Sequence, residues 1–138
     1  MKSGKDLRKE LANELKLCAD LIESEPDPRR QNYYFSAAYT QTNRVLNIDY
    51  DRDLLLMECV LGNAYNQIQA RLNVVASGDR TVDIPKELFS RLAAHTRQLS
   101  KVVEKGESPY SVLSEIWEAA YSSTGNGFYL LKKGVLKL

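Results

Sequence analysis

Apolar positions recur at three- and four-residue spacings through most of the chain, the repeat of helices that bury one face. The clearest stretch is Asp51 to Ala76, where Leu54, Met57, Leu61, Ala64, Ile68, Leu72 and Val75 fall on one stripe and Tyr65 widens it. At 1.5 Å per residue this helix is roughly 39 Å long. Its stripe requires other helices to cover it, so the chain is organised around it. Gly62 lies in its middle, where glycine costs about 1 kcal/mol relative to alanine. A close helix crossing is the expected reason. Ser77-Gly78 ends the helix.

Four further helices follow from the same pattern. Ser3, with Asp6 three residues on, caps a helix to about Glu23 whose stripe is Leu7, Leu11, Leu15, Cys18 and Ile22. Asp27-Pro28 starts a second, to about Leu46, whose face mixes Tyr34, Phe35, Ala38, Tyr39, Thr42, Val45 and Leu46. Asp83 is the expected cap of the fourth, with Pro85 in its first turn and a stripe of Leu88, Leu92, Leu99 and Val102, ending at Lys105-Gly106. Ser108-Pro109 starts a short fifth helix to about Ser122, presenting Leu113, Ile116, Trp117 and Ala120. The tail from Phe128 to Leu138 fits a helix or irregular extension better than a hairpin, since nothing else reads as a strand. The predicted fold is all-α: one domain over 1–138, an up-and-down bundle of four main helices plus a shorter C-terminal helix.

Composition changes this picture little. The 138 residues are 43% hydrophobic and 27% charged with a net charge of +1, which favours neither nucleic acid nor an acidic membrane. No apolar run is long enough to span a bilayer, and the N-terminus has no apolar signal core, so a cytoplasmic protein is expected. Cys18 and Cys59 are expected to be reduced and buried. Lys86, Arg97, Lys101 and Lys105 line the outer face of the fourth helix, but Glu87 and Glu104 dilute them, and a solvated basic face is the reading.

No motif compels a chemistry. His95 is the one histidine, at the edge of the fourth helix's stripe, and Leu92 stands three residues before it where a di-iron bundle needs glutamate. One histidine and two cysteines on separate helices do not form a zinc set. Arg91 and His95 are too close for the arginine–histidine spacing of HEPN-type ribonucleases. No catalytic residue, metal or cofactor is assigned.

The candidate binding residues are Tyr33, Tyr34, Tyr39, Asn43, Glu58, Tyr65 and His95. Tyr33, Tyr34 and Tyr39 crowd two turns and cannot all face one core. Glu58 lies on or beside the stripe of the long helix, where an unpaired carboxylate is costly. It therefore calls for a partner, such as Arg44 or a tyrosine hydroxyl, or for a polar pocket where Glu58, Tyr65, Tyr39 and Asn43 converge.

Ile68-Gln69, the polar loop after it, Ile84-Pro85 and Arg91-Leu92 resemble the middle of the cobalamin adenosyltransferases. That resemblance covers under half of the chain. It implies a five-helix bundle, often trimeric, with nucleotide and corrinoid bound between subunits. Lys2-Ser3-Gly4-Lys5-Asp6 departs from that family's phosphate-binding segment, and residues 109–122 contain no arginine. The chain also resembles a small uncharacterised archaeal family of helical proteins. The function expected is non-catalytic: a self-associating binding or scaffold module, a homo-oligomer with the tyrosine-rich second helix as its contact surface. The alternative is an adenosyltransferase-like enzyme with a small-molecule ligand.

Overall fold

The computed structural model describes residues 2–78 and 84–122, and five helices account for the regular structure within them. They are α1 (Gly4–Ser24), α2 (Pro28–Ile48), α3 (Arg52–Ala76), α4 (Leu88–Lys105) and α5 (Tyr110–Ser122). The all-α bundle is the architecture the hydrophobic pattern predicts. Asp83 and the 128–138 tail lie outside the described residues.

Local chemistry sets the helix ends. Ser3 Oγ accepts the Asp6 amide at 3.1 Å while the Asp6 carboxylate accepts the Ser3 amide, a reciprocal capping box. Asp27 Oδ1 accepts the Arg29 amide at 3.0 Å, with Pro28 at the first helical position. Gly106 closes α4 at φ +70°. The Gly106 amide donates to Val103 O, and the Glu107 amide reaches back to Val102 O, the paired bonds of a Schellman end.

The start of α4 differs from expectation. The helix begins at Leu88 rather than around Pro85. The Leu88 amide bonds Pro85 O at 3.1 Å in a tight turn, and the first helical bond is from the Arg91 amide to Glu87 O. Proline also disfavours helical backbone at the residue before it, so Ile84 stays outside.

The helices form a ring in the order α1–α2–α3–α5–α4. α1 packs on α2 and α4, α3 packs on α2 and α5, and α5 packs on α4. α2 also approaches α4, whereas the backbones of α3 and α4 stay apart with α5 between them. Arg97 on α4 meets Asp20 on α1 while Ser100 Oγ bonds Ala12 O, so α1 and α4 run antiparallel. Direction alternates along the chain, which leaves α3 and α5 parallel.

Buried residues from all five helices form one cluster, including six of the seven stripe positions of α3. Val75 is the exception. Asn32 of α2 meets Gln69 of α3, so α2 starts about one turn further on, short of Val75, which stays 37% exposed. Cys59 also departs from expectation, being exposed. It stands two residues before Leu61, about 200° around the helix, and faces away from the stripe. Cys18 is buried as expected. Its Sγ donates to Tyr34 O at 2.8 Å, and burial pushes its thiol up to about 12, so it stays protonated.

Asp51 ties two helices together. Its Oδ1 accepts the amides of Asp53 and Leu54 at 2.8 and 3.2 Å, capping α3, while its Oδ2 accepts Arg8 Nη2 of α1 at 2.6 Å. Burial pushes its carboxyl up, but the Arg8 guanidinium and the two amides outweigh burial and hold it below 3.8. A depressed carboxyl stabilises the fold above its ordinary value, and that contribution is lost as pH falls through the folded-state value. Asp51→Asn keeps a good cap and loses the ion pair, a cost of at most about 1 kcal/mol for a part-exposed pair. Asp51→Ala loses the cap as well, about 1 kcal/mol more. Urea unfolding at neutral pH reads this order, and acid titration of Asp51→Asn should lack the component that the parent loses below 3.8.

Candidate functional site

The α2–α3 pairing leaves a groove on the outer surface. Its floor is the Tyr39 ring of α2 lying against Gly62 of α3. A Cβ built on Gly62 would stand 2.9 Å from Tyr39 Cδ2 and 3.0 Å from Cε2. The mid-helix glycine therefore admits an aromatic ring; the approaching group is a side chain where a helix crossing was expected. Glu58, Gly62 and Asn66 follow at four-residue spacing along α3, and Ser36 and Thr40 do the same along α2. These residues, with Cys59, Asn63, Tyr39 and Tyr65, line a groove of about 610 Å³, a volume within the range of small-molecule sites.

Asn32 closes the pairing at one end. It is fully buried, and its Nδ2 donates to Gln69 Oε1 at 3.1 Å and to Tyr65 O at 3.4 Å. Gln69 Nε2 passes the chain on to Asn73 Oδ1. Gln69, one of the residues carrying the adenosyltransferase resemblance, is engaged in this inter-helix contact.

The Ser36 and Thr40 hydroxyls of the groove direct their donors to their own helix. Ser36 Oγ donates to Tyr33 O at 2.5 Å, Thr40 Oγ1 to Ser36 O at 3.1 Å, and Asn63 Nδ2 to Cys59 O at 2.8 Å. Each hydroxyl uses its single donor on its own helix and keeps an acceptor oxygen; Asn63 commits one N–H the same way. Glu58 adds a carboxylate, an acceptor with no donor. Among the described residues it forms no ion pair or hydrogen bond, and no arginine or lysine lines the groove.

Three of the expected site residues therefore converge: Tyr39, Glu58 and Tyr65. Asn43 is not in the lining; its Oδ1 accepts Asn47 Nδ2 at 3.1 Å on α2. Arg44 does not reach Glu58. It hydrogen-bonds Gln41 at 3.1 Å and approaches Glu10 of α1 at 3.9 Å, because its position on α2 points to the α1 side. His95 is elsewhere, half-buried on α4 with Nδ1 3.3 Å from Gln98 Oε1. Since the backbones of α3 and α4 stay apart, Glu58 and His95 form no pair.

Tyr33 is 69% exposed on the outer face of α2, its ring edge-on to Tyr34 at 6.0 Å and 61°. On the basic face of α4, Arg97 is engaged by Asp20 at 2.9 Å and also by Glu23, which removes one of its cations from any contact with phosphates. Among the described residues, no cluster of three or more histidine, cysteine or acidic side chains is placed to hold a metal ion. No helix there is long and apolar enough to cross a membrane.

Sequence reasoning did not pick out Ser36, Thr40, Asn63 or Asn66. Their signal is small polar residues at four-residue spacing beside the apolar stripes, a pattern that solvated boundaries also show. No family model, curated protein or solved structure matches the chain.

The Tyr39–Gly62 contact makes a double-mutant test. Gly62→Ala gains about 1 kcal/mol of helix propensity and meets an overpacking cost of about 1–3 kcal/mol against the ring. It should therefore destabilise the parent by about 1 kcal/mol and stabilise a Tyr39→Ala background by a similar amount. Equal stabilisation in both backgrounds, measured by urea unfolding, would remove the ring from this account.

Proposed function

We propose that this protein is a cytoplasmic, non-catalytic binding module that self-associates through the outer face of α2. The observation that carries the reading is the exposed Tyr33 with the half-buried Tyr34 beside it. The pair borders a shallow concavity of about 260 Å³ whose lining includes Ser36, Ala37, Thr40 and Gln41 and which shares Ser36 and Thr40 with the groove. Leu17 and Leu21, one turn apart on α1, are also exposed. They flank Cys18, whose thiol reaches the Tyr34 carbonyl. Tyrosines beside aliphatic side chains and neutral hydroxyls and amides are the composition of an interface centre. A second copy offers the same surface, as a two-fold contact requires. Two free thiols, one of them exposed, fit a reducing compartment.

The adenosyltransferase-like alternative shares the five-helix count. Its nucleotide would need cations for the phosphates, and no arginine or lysine lines the groove.

Native mass spectrometry checks the proposal. The parent should be an oligomer at micromolar concentration, and the Tyr33→Ala, Tyr34→Ala double variant should shift toward monomer with its helical content retained. A parent that stays monomeric at high micromolar concentration contradicts the reading.

A further inference from the structure

We propose that the α2–α3 groove is a binding site for a primary organic ammonium ion carrying a small apolar body. The inference does not rest on self-association; it follows from the chemistry of the groove wall. Glu58 is the wall's one charge and has no ion pair among the described residues. It is half-buried, so pairing with a cation recovers more than at a fully solvated surface. The serine and threonine hydroxyls of the lining add acceptor oxygens beside the amides of Asn63 and Asn66. Ser36 and Thr40 direct their hydroxyl hydrogens to backbone carbonyls and retain acceptor oxygens, and Asn63 retains Oδ1 after donating to Cys59 O.

A groove whose one charge is an unpaired carboxylate, with the acceptor oxygens of Ser36 and Thr40 in the same lining, favours a cation that donates. An alkylammonium has three N–H donors, a positive charge and no acceptor. A carboxylate or phosphate has the opposite polarity and would meet Glu58 and lone pairs. The aromatic part of the wall agrees. Tyr39 is held over Gly62 and Tyr65 stands two turns along α3 from Glu58, so two electron-rich rings share the groove with the carboxylate. Tyrosine faces attract ammonium ions and accept the adjoining methylenes. The absent side chain at Gly62 lets the Tyr39 ring sit low between Glu58 and Asn66, and a groove of this volume has ample room for such a ligand.

The test is a ¹H–¹⁵N correlation titration of the whole protein with 2-phenylethylammonium chloride. 2-Phenylethanol and 3-phenylpropionate serve as neutral and anionic counterparts of the same body. The amine should give saturable shifts at residues 36–40 and 58–66. The alcohol should bind at least about tenfold more weakly, as expected on losing a charge-assisted hydrogen bond, and the acid should leave those amides in place. Glu58→Gln, at a half-exposed side chain that bonds to nothing, should preserve the spectrum and weaken the amine by a similar factor. The ligand series needs no variant, so it decides the matter even if that substitution perturbs folding. Equal binding of amine and alcohol overturns the proposal, as do shifts centred on α4 or the absence of saturable shifts up to about 10 mM amine. Loss of amine binding in a protein that still self-associates would count against this site alone.

Discussion

The groove depends on one contact, the Tyr39 ring laid against Gly62. A long apolar stripe on α3 has to be covered on both flanks. α5 covers one flank and packs there alongside the parallel α3. α2 covers the other with buried Phe35, Ala38, Thr42 and Val45, and at its margin a large ring meets a residue with no side chain. Any Cβ at position 62 would push that ring outward and fill the hollow between Glu58 and Asn66. The same geometry that closes the core on this side opens a polar groove on its surface. Asn32 then fixes the pair at one end by bonding Gln69 and the Tyr65 carbonyl.

That arrangement separates two kinds of surface. On the outer face of α2, exposed Tyr33 and half-buried Tyr34 present an aromatic surface one turn from the exposed Arg29 and Arg30. Between α2 and α3, the hydroxyls of Ser36 and Thr40 point their hydrogens back into their own helix, and Glu58 stands without a cation. Two hydroxyls that look neutral in the sequence present acceptor oxygens in the same lining as the carboxylate. Glu58 and His95 are not brought together, because α5 stands between α3 and the helix that carries His95.

The helices and their faces were largely legible in the chain. Three- and four-residue spacing located the stripe of α3, and Ser3, Asp27 and Gly106 marked helix ends through caps whose geometry is local. The α4 start was misplaced because Pro85 suits both a first helical turn and the turn before one. Cys59 was misjudged by residue type, although its offset from Leu61 already put it on the far side. The site was half legible. Glu58, Tyr39 and Tyr65 were found because a carboxylate near a stripe and surplus tyrosines each demand an explanation. Asn43 and Arg44 lie near them in sequence but on other parts of the α2 surface. Which helices become neighbours, and which way a serine hydroxyl points, are settled by tertiary packing and leave little trace in spacing.

The contact between Tyr39 and Gly62 is the most direct point at which to test this account. Nuclear Overhauser spectroscopy on the isotopically labelled protein should show strong cross-peaks from the Tyr39 ring protons to both Gly62 Hα protons, since the ring carbons lie 2.9 and 3.0 Å from the place a Cβ would occupy. Cross-peaks of that strength would establish the floor of the groove and the register of α2 on α3. Their absence, with Tyr39 instead contacting solvent or another helix, would contradict the pairing on which both the groove and its proposed ligand depend.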